Sequence, residues 1–258
     1  MTNPPPLLVS LGAFGASEVR RHGQAWFTRP AAVAGADGVE VRAELSTGGD
    51  AEIDAIRDAA STASLQIVYS SPQGLWRDDA QFDAAAFADA VAQATRLSAS
   101  RLKMSIGGFA DASLASLGEL RHRLGDSPIE LLIENDQTTT AGTLTALLRF
   151  FSAASDSGLE LAMTFDIGNW HWQGECPQQA AKALGHRVAY VHCKGVQRQP
   201  KRWVVVQLAE SAAPWRAVLR ELPAGLPWAI EYPLAGDDLL ATTRGQLDML
   251  RSTAGSLF

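Results

Sequence analysis

Short apolar runs with strand character alternate with longer, periodically apolar stretches from one end of this chain to the other, and that rhythm limits the folds open to it. Candidate strands lie at Leu7–Leu11, Gly38–Ala43, Leu65–Tyr69, Leu102–Ile106, Ile129–Glu134, Leu161–Asp166, Val188–His192 and Trp228–Glu231. Helical stretches fall between them near 17–34, 51–63, 83–98, 112–124, 141–155, 176–185, 212–221 and 238–252. Phe82, Ala86, Phe87, Ala90 and Val91 show the mixed three- and four-residue spacing of a helix with one buried face. Asp37-Gly38, Gly125-Asp126, Ser157-Gly158 and Gly225 punctuate the stretches before the next strand. Eight strand–helix pairs without a break in composition predict an α/β protein, a parallel eight-stranded (β/α)8 TIM barrel with outer helices. A chain of 258 residues suits one such domain, 1–258, with 1–6 as an arm leading into the first strand. An open doubly wound sheet is the runner-up, and the G-x-G-x-x-G or P-loop that would favour it is missing.

Four of the strands end in a side chain able to bind a metal: Glu134, Asp166, His192 and Glu231. They recur at about thirty-residue intervals, the length of one strand-plus-helix unit. Side chains alternate between the two faces of a strand, so Glu134 shares a face with Leu132, and Asp166 with Thr164 and Ala162. Likewise Glu231 goes with Ala229, and Tyr190, His192 and Lys194 form one inward row. Small or polar residues then line the barrel while Leu131, Ile133, Met163, Phe165 and Ile230 face the helices. Three carboxylates and one imidazole form a hard, oxygen-rich donor set suited to Mn²⁺, Mg²⁺ or Co²⁺ and able to hold Zn²⁺. Without a cation the carboxylates would repel one another strongly.

The segments IEN at 133–135, DIGNW at 166–170, VHCKGVQR at 191–198 and IEY at 230–232 resemble the xylose-isomerase-like barrels. That superfamily includes ketose 3-epimerases, hydroxypyruvate isomerase and inosose dehydratase. The resemblance implies one divalent metal, Mn²⁺ foremost, on Glu134, Asp166, His192 and Glu231. It also implies acid/base roles for Glu134 and Glu231, and substrate contacts for Arg198 and Asn169. The expected activity is a sugar isomerase or epimerase that abstracts a proton beside a carbonyl, through an enediolate stabilised by the metal. An inosose-dehydratase-like lyase and a barrel that only binds metal or sugar are the alternatives. Two segments depart from the family pattern. HCKG has Gly195 where an acid is common, and VQLAESAAPW at 206–215 lacks the usual glycines and acid.

Other candidates surround this set. Glu44 ends the second strand, where it can meet a substrate hydroxyl or pair with Arg42. Trp170 and His171 follow the candidate aspartate and could wall a sugar pocket, with His171 as a lesser candidate for acid/base work. Lys194, Arg198, Lys201 and Arg202 could anchor an anionic substrate group. The resemblance implies a small sugar, keto-sugar or sugar acid as the substrate. A formal charge of −6 disfavours nucleic acid as a partner. No segment has the eighteen or so apolar residues of a membrane span, and Cys176 and Cys193 suit reduced thiols in a cytoplasmic protein. A homo-oligomer is compatible with the sequence.

Overall fold

In the computed structural model, which describes residues 4–125 and 127–257, eight parallel strands close into a barrel. They are β1 (Leu7–Ser10), β2 (Gly38–Arg42), β3 (Gln66–Trp76), β4 (Arg101–Gly107), β5 (Glu130–Glu134), β6 (Ala162–Asp166), β7 (Val188–Cys193) and β10 (Trp228–Ile230). Neighbours in the barrel follow chain order, and β10 closes the ring against β1, with Leu8 opposite Ala229. The helices are α1 (Ala16–His22), α2 (Gln24–Ala34), α3 (Gly49–Thr62), α4 (Ala84–Arg96), α5 (Leu117–Leu124), α6 (Leu144–Asp156), α7 (Pro177–Leu184), α8 (Trp215–Arg220) and α9 (Leu239–Leu257). Of the expected N-terminal arm, 1–3 lie outside the described residues; the Pro6 carbonyl already accepts a hydrogen bond from Trp228 N at 2.9 Å. Asp126, one of the expected helix-end signals, is also outside them.

The alternation read from the sequence organises the core. Outward residues such as Leu131, Ile133, Met163, Phe165, Val191 and Ile230 join the large cluster between strands and helices. Leu8, Val68, Leu132, Tyr190 and Ala229 form a separate cluster inside the barrel and floor the site above them. Helix α6 shows how the outer layer is built. Thr143 caps it by accepting from Ala146 N at 3.3 Å, and Leu147, Phe150, Phe151 and Ala154 bury one face. Each of those large side chains contributes roughly 1.5–3 kcal/mol by leaving water.

Two elements differ from the expectation. The stretch near 17–34 is two helices, because Gly23 adopts φ +81° between them, a conformation open to glycine and costly for other residues. After β7 the chain turns into an antiparallel hairpin, β8 (Gly195–Arg198) with β9 (Trp203–Val206), where the sequence showed only a basic loop.

Candidate metal centre

The register of the strands brings the four candidate ligands to one level. Asp166 lies opposite His192, His192 opposite Ala229, and Glu134 opposite Thr164, two residues before Asp166. Each of Glu134, Asp166, His192 and Glu231 offers one donor atom, and these atoms all lie within 4.8 Å of one another. His192 Nδ1 is 2.8 Å from Glu231 Oε2, 2.9 Å from Glu134 Oε1 and 3.9 Å from Asp166 Oδ2. The donors converge where a cation would bind them, and their chemistry fits a hard divalent metal.

Every remaining oxygen or nitrogen of this set is tied down. Asp166 Oδ1 accepts from the N–H groups of Gly168 at 2.8 Å and Asn169 at 3.0 Å. Its backbone is clamped by Asn135, whose side chain accepts from Asp166 N and donates to Asp166 O. Asp166 Oδ2, fully buried, forms a 2.6 Å ion pair with Lys194 Nζ. Glu231 Oε1 accepts from Arg42 Nη1 at 2.5 Å, and Glu134 Oε2 accepts from the ammonium of Lys103. His192 Nε2 lies 2.6 Å from Glu40 Oε2.

The charges at the barrel mouth nearly balance. Burial pushes Glu134 up, but Lys103 and His192 outweigh it and hold the carboxyl at about 2. Burial acts the same way on Glu231, and His192, Lys194 and Arg42 hold it well below the usual range. Asp166 is the exception: burial wins over Lys194 and raises it to about 6. Burial disfavours charge on His192, yet Glu231 and Glu40 hold its imidazolium well above the ordinary value.

The expected substrate residues are distributed unevenly. A cavity of about 360 Å³ opens beside the donors, and Glu44, Lys194 and Glu231 line it together with Arg20, Arg42 and Tyr232. Glu44 pairs with Arg42 at 2.8 Å while lining the cavity. Asn169 is buried behind Lys194, accepting from its Nζ and from Gln137 Nε2, both at 3.0 Å. Trp170 is fully buried against Phe165, with ring centroids 5.3 Å apart, and is not among the residues lining the cavity. His171 packs on Trp203 of the hairpin at 4.9 Å, and burial lowers its pKa. Arg198 stands exposed on that hairpin, 5.2 Å over the Trp203 ring, outside the cavity lining.

Sequence reading missed Glu40 and Lys103. Both are charged residues inside apolar strands, GVEVR and RLKMSIG, at positions whose parity points into the barrel. A buried charge in a central strand is costly unless paired, which is the signal that could have found them.

Closed parallel barrel and convergent donors define a (β/α)8 protein with a carboxylate–imidazole centre at its C-terminal mouth, the end where such barrels carry their active sites. The chain belongs to the xylose isomerase-like TIM barrel family, whose pattern it matches over residues 29–253. Among solved structures, L-ribulose 3-epimerase superposes with a TM-score of 0.75 at 13% identity, covering 98% of this chain and 95% of that one. D-allulose 3-epimerase from Methylomonas sp., in complex with D-allulose, gives 0.68 at 15% identity, covering 96% and 97%. The probable 3-DHS dehydratase of petrobactin synthesis from Bacillus anthracis gives 0.71 at 13%, covering 95% and 98%. At such identities these likenesses establish the fold. No curated protein matches the chain in sequence. Among the described residues no helix is long and apolar enough to cross a membrane.

Proposed function

We propose that this chain is a divalent-metal-dependent isomerase or epimerase of a small sugar or sugar derivative. The observation that carries this reading is the convergence of Glu134, Asp166, His192 and Glu231 within 4.8 Å beside an open cavity. A divalent cation held by these four, Mn²⁺ foremost, would supply positive charge for a substrate oxygen that becomes negative when a neighbouring C–H loses its proton.

The chain's own residues would handle the proton. Glu231 lines the cavity and stays ionised, the state a base requires. Arg42 fixes its Oε1 and leaves Oε2 turned toward the donor set. Glu134, on a strand three places round the ring, approaches from another side and is also ionised. One carboxylate removing a proton and the other returning one is the smallest apparatus that inverts or moves a carbonyl-adjacent centre. Arg42 and Lys194, both lining the cavity, would donate to substrate oxygens, and Glu44 would accept from a hydroxyl.

The test is metal analysis followed by incubation of the protein with ketoses, inososes and keto acids in D₂O. Deuterium entering a carbon beside the carbonyl, with no water lost, supports the proposal. Elimination of water with any of these substrates would replace it with a lyase. Bound metal without exchange or elimination on a broad panel would leave a binding protein.

A further inference from the structure

Lys194 touches the donor set at two points. Its Nζ lies 2.6 Å from Asp166 Oδ2 and 2.9 Å from Glu231 Oε2. These are the two oxygens that face His192 Nδ1, at 3.9 and 2.8 Å. In each carboxylate the other oxygen is already hydrogen-bonded. Asp166 Oδ1 is held by Gly168 and Asn169, and Glu231 Oε1 by Arg42. An ammonium and a divalent cation therefore call on the same pair of atoms.

The lysine's grip differs among its partners. Two carboxylates hold it by charge at 2.6 and 2.9 Å, and it donates to the neutral Asn169 Oδ1 at 3.0 Å. The side chain is also part of the cavity wall, beside Ser10, Val205 and Tyr232. An ammonium released by the carboxylates thus has open space to enter. Two positive groups seated on shared oxygens in a buried, weakly screened site repel each other. Two buried carboxylates with neither group would repel just as directly.

The geometry points to Lys194 as a built-in counter-ion of the centre, a positioning residue that shares Asp166 Oδ2 and Glu231 Oε2 with the divalent cation and yields them when it binds. Before the cation arrives, the lysine keeps the two carboxylates compensated and in place. On binding, the ammonium turns into the cavity it lines. The inference rests on the proposed reading only for the cation, not for the reaction.

The test uses the full chain, freed of metal by chelation, as wild type, Lys194→Met, Lys194→Gln and Lys194→Arg. Mn²⁺ affinity is followed by the resonance signal of free Mn²⁺. Met and Gln should bind Mn²⁺ about tenfold more tightly or better, while Arg, which keeps the charge, stays within about threefold of wild type. The metal-free melting temperature of Met and Gln should fall, and saturating Mn²⁺ should close the gap. If the Met protein is obtained only with Mn²⁺ present, chelator competition still yields its affinity, and the Gln protein gives a second value. Affinity that is unchanged or weaker in both neutral variants overturns the inference, since the lysine would then serve only to hold the ligands. Mn²⁺ binding by none of the four proteins would remove the metal centre and this inference together. Mn²⁺ binding without exchange chemistry would remove the isomerase reading and leave this one standing.

Discussion

Glu40 Oε2 sits 2.6 Å from His192 Nε2, both side chains fully buried inside the barrel. Burial pushes Glu40 up, but His192 and Lys103 pull it below its ordinary value, so it is ionised and can only accept. Nε2 therefore carries a proton, and Nδ1 is the nitrogen turned toward Glu134, Asp166 and Glu231. Partners of this kind fix ring orientation and raise the basicity of a ligand imidazole. Glu40→Gln keeps the shape and loses the charge. It should weaken Mn²⁺ binding by about 10–100-fold, measured calorimetrically, because the amide can present either a donor or an acceptor to the ring. Affinity equal to wild type would mean that the imidazole orients itself without Glu40.

The two glutamates of the donor set differ in their surroundings, which separates their variants. Glu231 fronts the cavity, while Glu134 is braced from below by Lys103. Glu134→Gln and Glu231→Gln should each abolish solvent deuterium exchange into a substrate of the wild type, a loss of about a hundredfold or more. Glu134→Gln should also destabilise the fold, since it strands the buried Lys103 ammonium beside Glu40 alone. Wild-type exchange rates in either variant would sink the two-carboxylate scheme.

Much of this was legible in the sequence because a barrel strand advertises its two faces by alternation. The donors stood at strand ends, where a polar residue interrupts an apolar run, and the parity that put Glu134 with Leu132 also gave the floor of the site. Glu40 and Lys103 obeyed the same parity, but they lie inside their strands and their partners come from β7 and β5, distant in sequence. The hairpin escaped for another reason. WVVV has no alternation to read, and its pairing with Gly195–Arg198 depends on a tertiary surface. Trp170 looked like a pocket wall from its place after Asp166, but the turn over Asn169–Gln173 rotates it down onto Phe165.

Cation affinity should depend on pH with a definite sign. Burial raises Asp166 to about 6, so its carboxyl gains a proton as pH falls through 6, and a protonated acid is a poor ligand. His192 is an imidazolium well above its ordinary pKa, so a cation reaching Nδ1 must replace a proton. Glu134, held at about 2 by Lys103 and His192 against its burial, remains ionised throughout and adds nothing to the slope. Mn²⁺ binding should therefore release protons and strengthen steadily from pH 5 to 8, by about tenfold per unit below 6 from Asp166 alone. Calorimetry in buffers of different ionisation enthalpy measures the release. Affinity independent of pH over that window would contradict the assignment of Asp166 and His192 to the cation.

The hairpin requires a glycine at position 195. Gly195 faces Val206 across the hairpin, and a Cβ added there would meet Val206 O at 2.5 Å and Gln207 O at 2.7 Å, both backbone atoms that cannot swing aside. A side chain at this position therefore has no room while β8 and β9 stay paired. Gly195→Ala should cost roughly 1–3 kcal/mol through overpacking, a fall of several degrees in melting temperature. Gly195→Asp should cost more, adding a carboxylate one residue from Lys194 and close to the donor set. Because β8 continues directly from the Lys194 segment, loosening the hairpin should also disturb the lysine's seat against Asp166 and change Mn²⁺ affinity. Thermal melts with and without Mn²⁺ decide the matter: an Asp variant that melts with wild type in both conditions would show that the hairpin is not what keeps position 195 small.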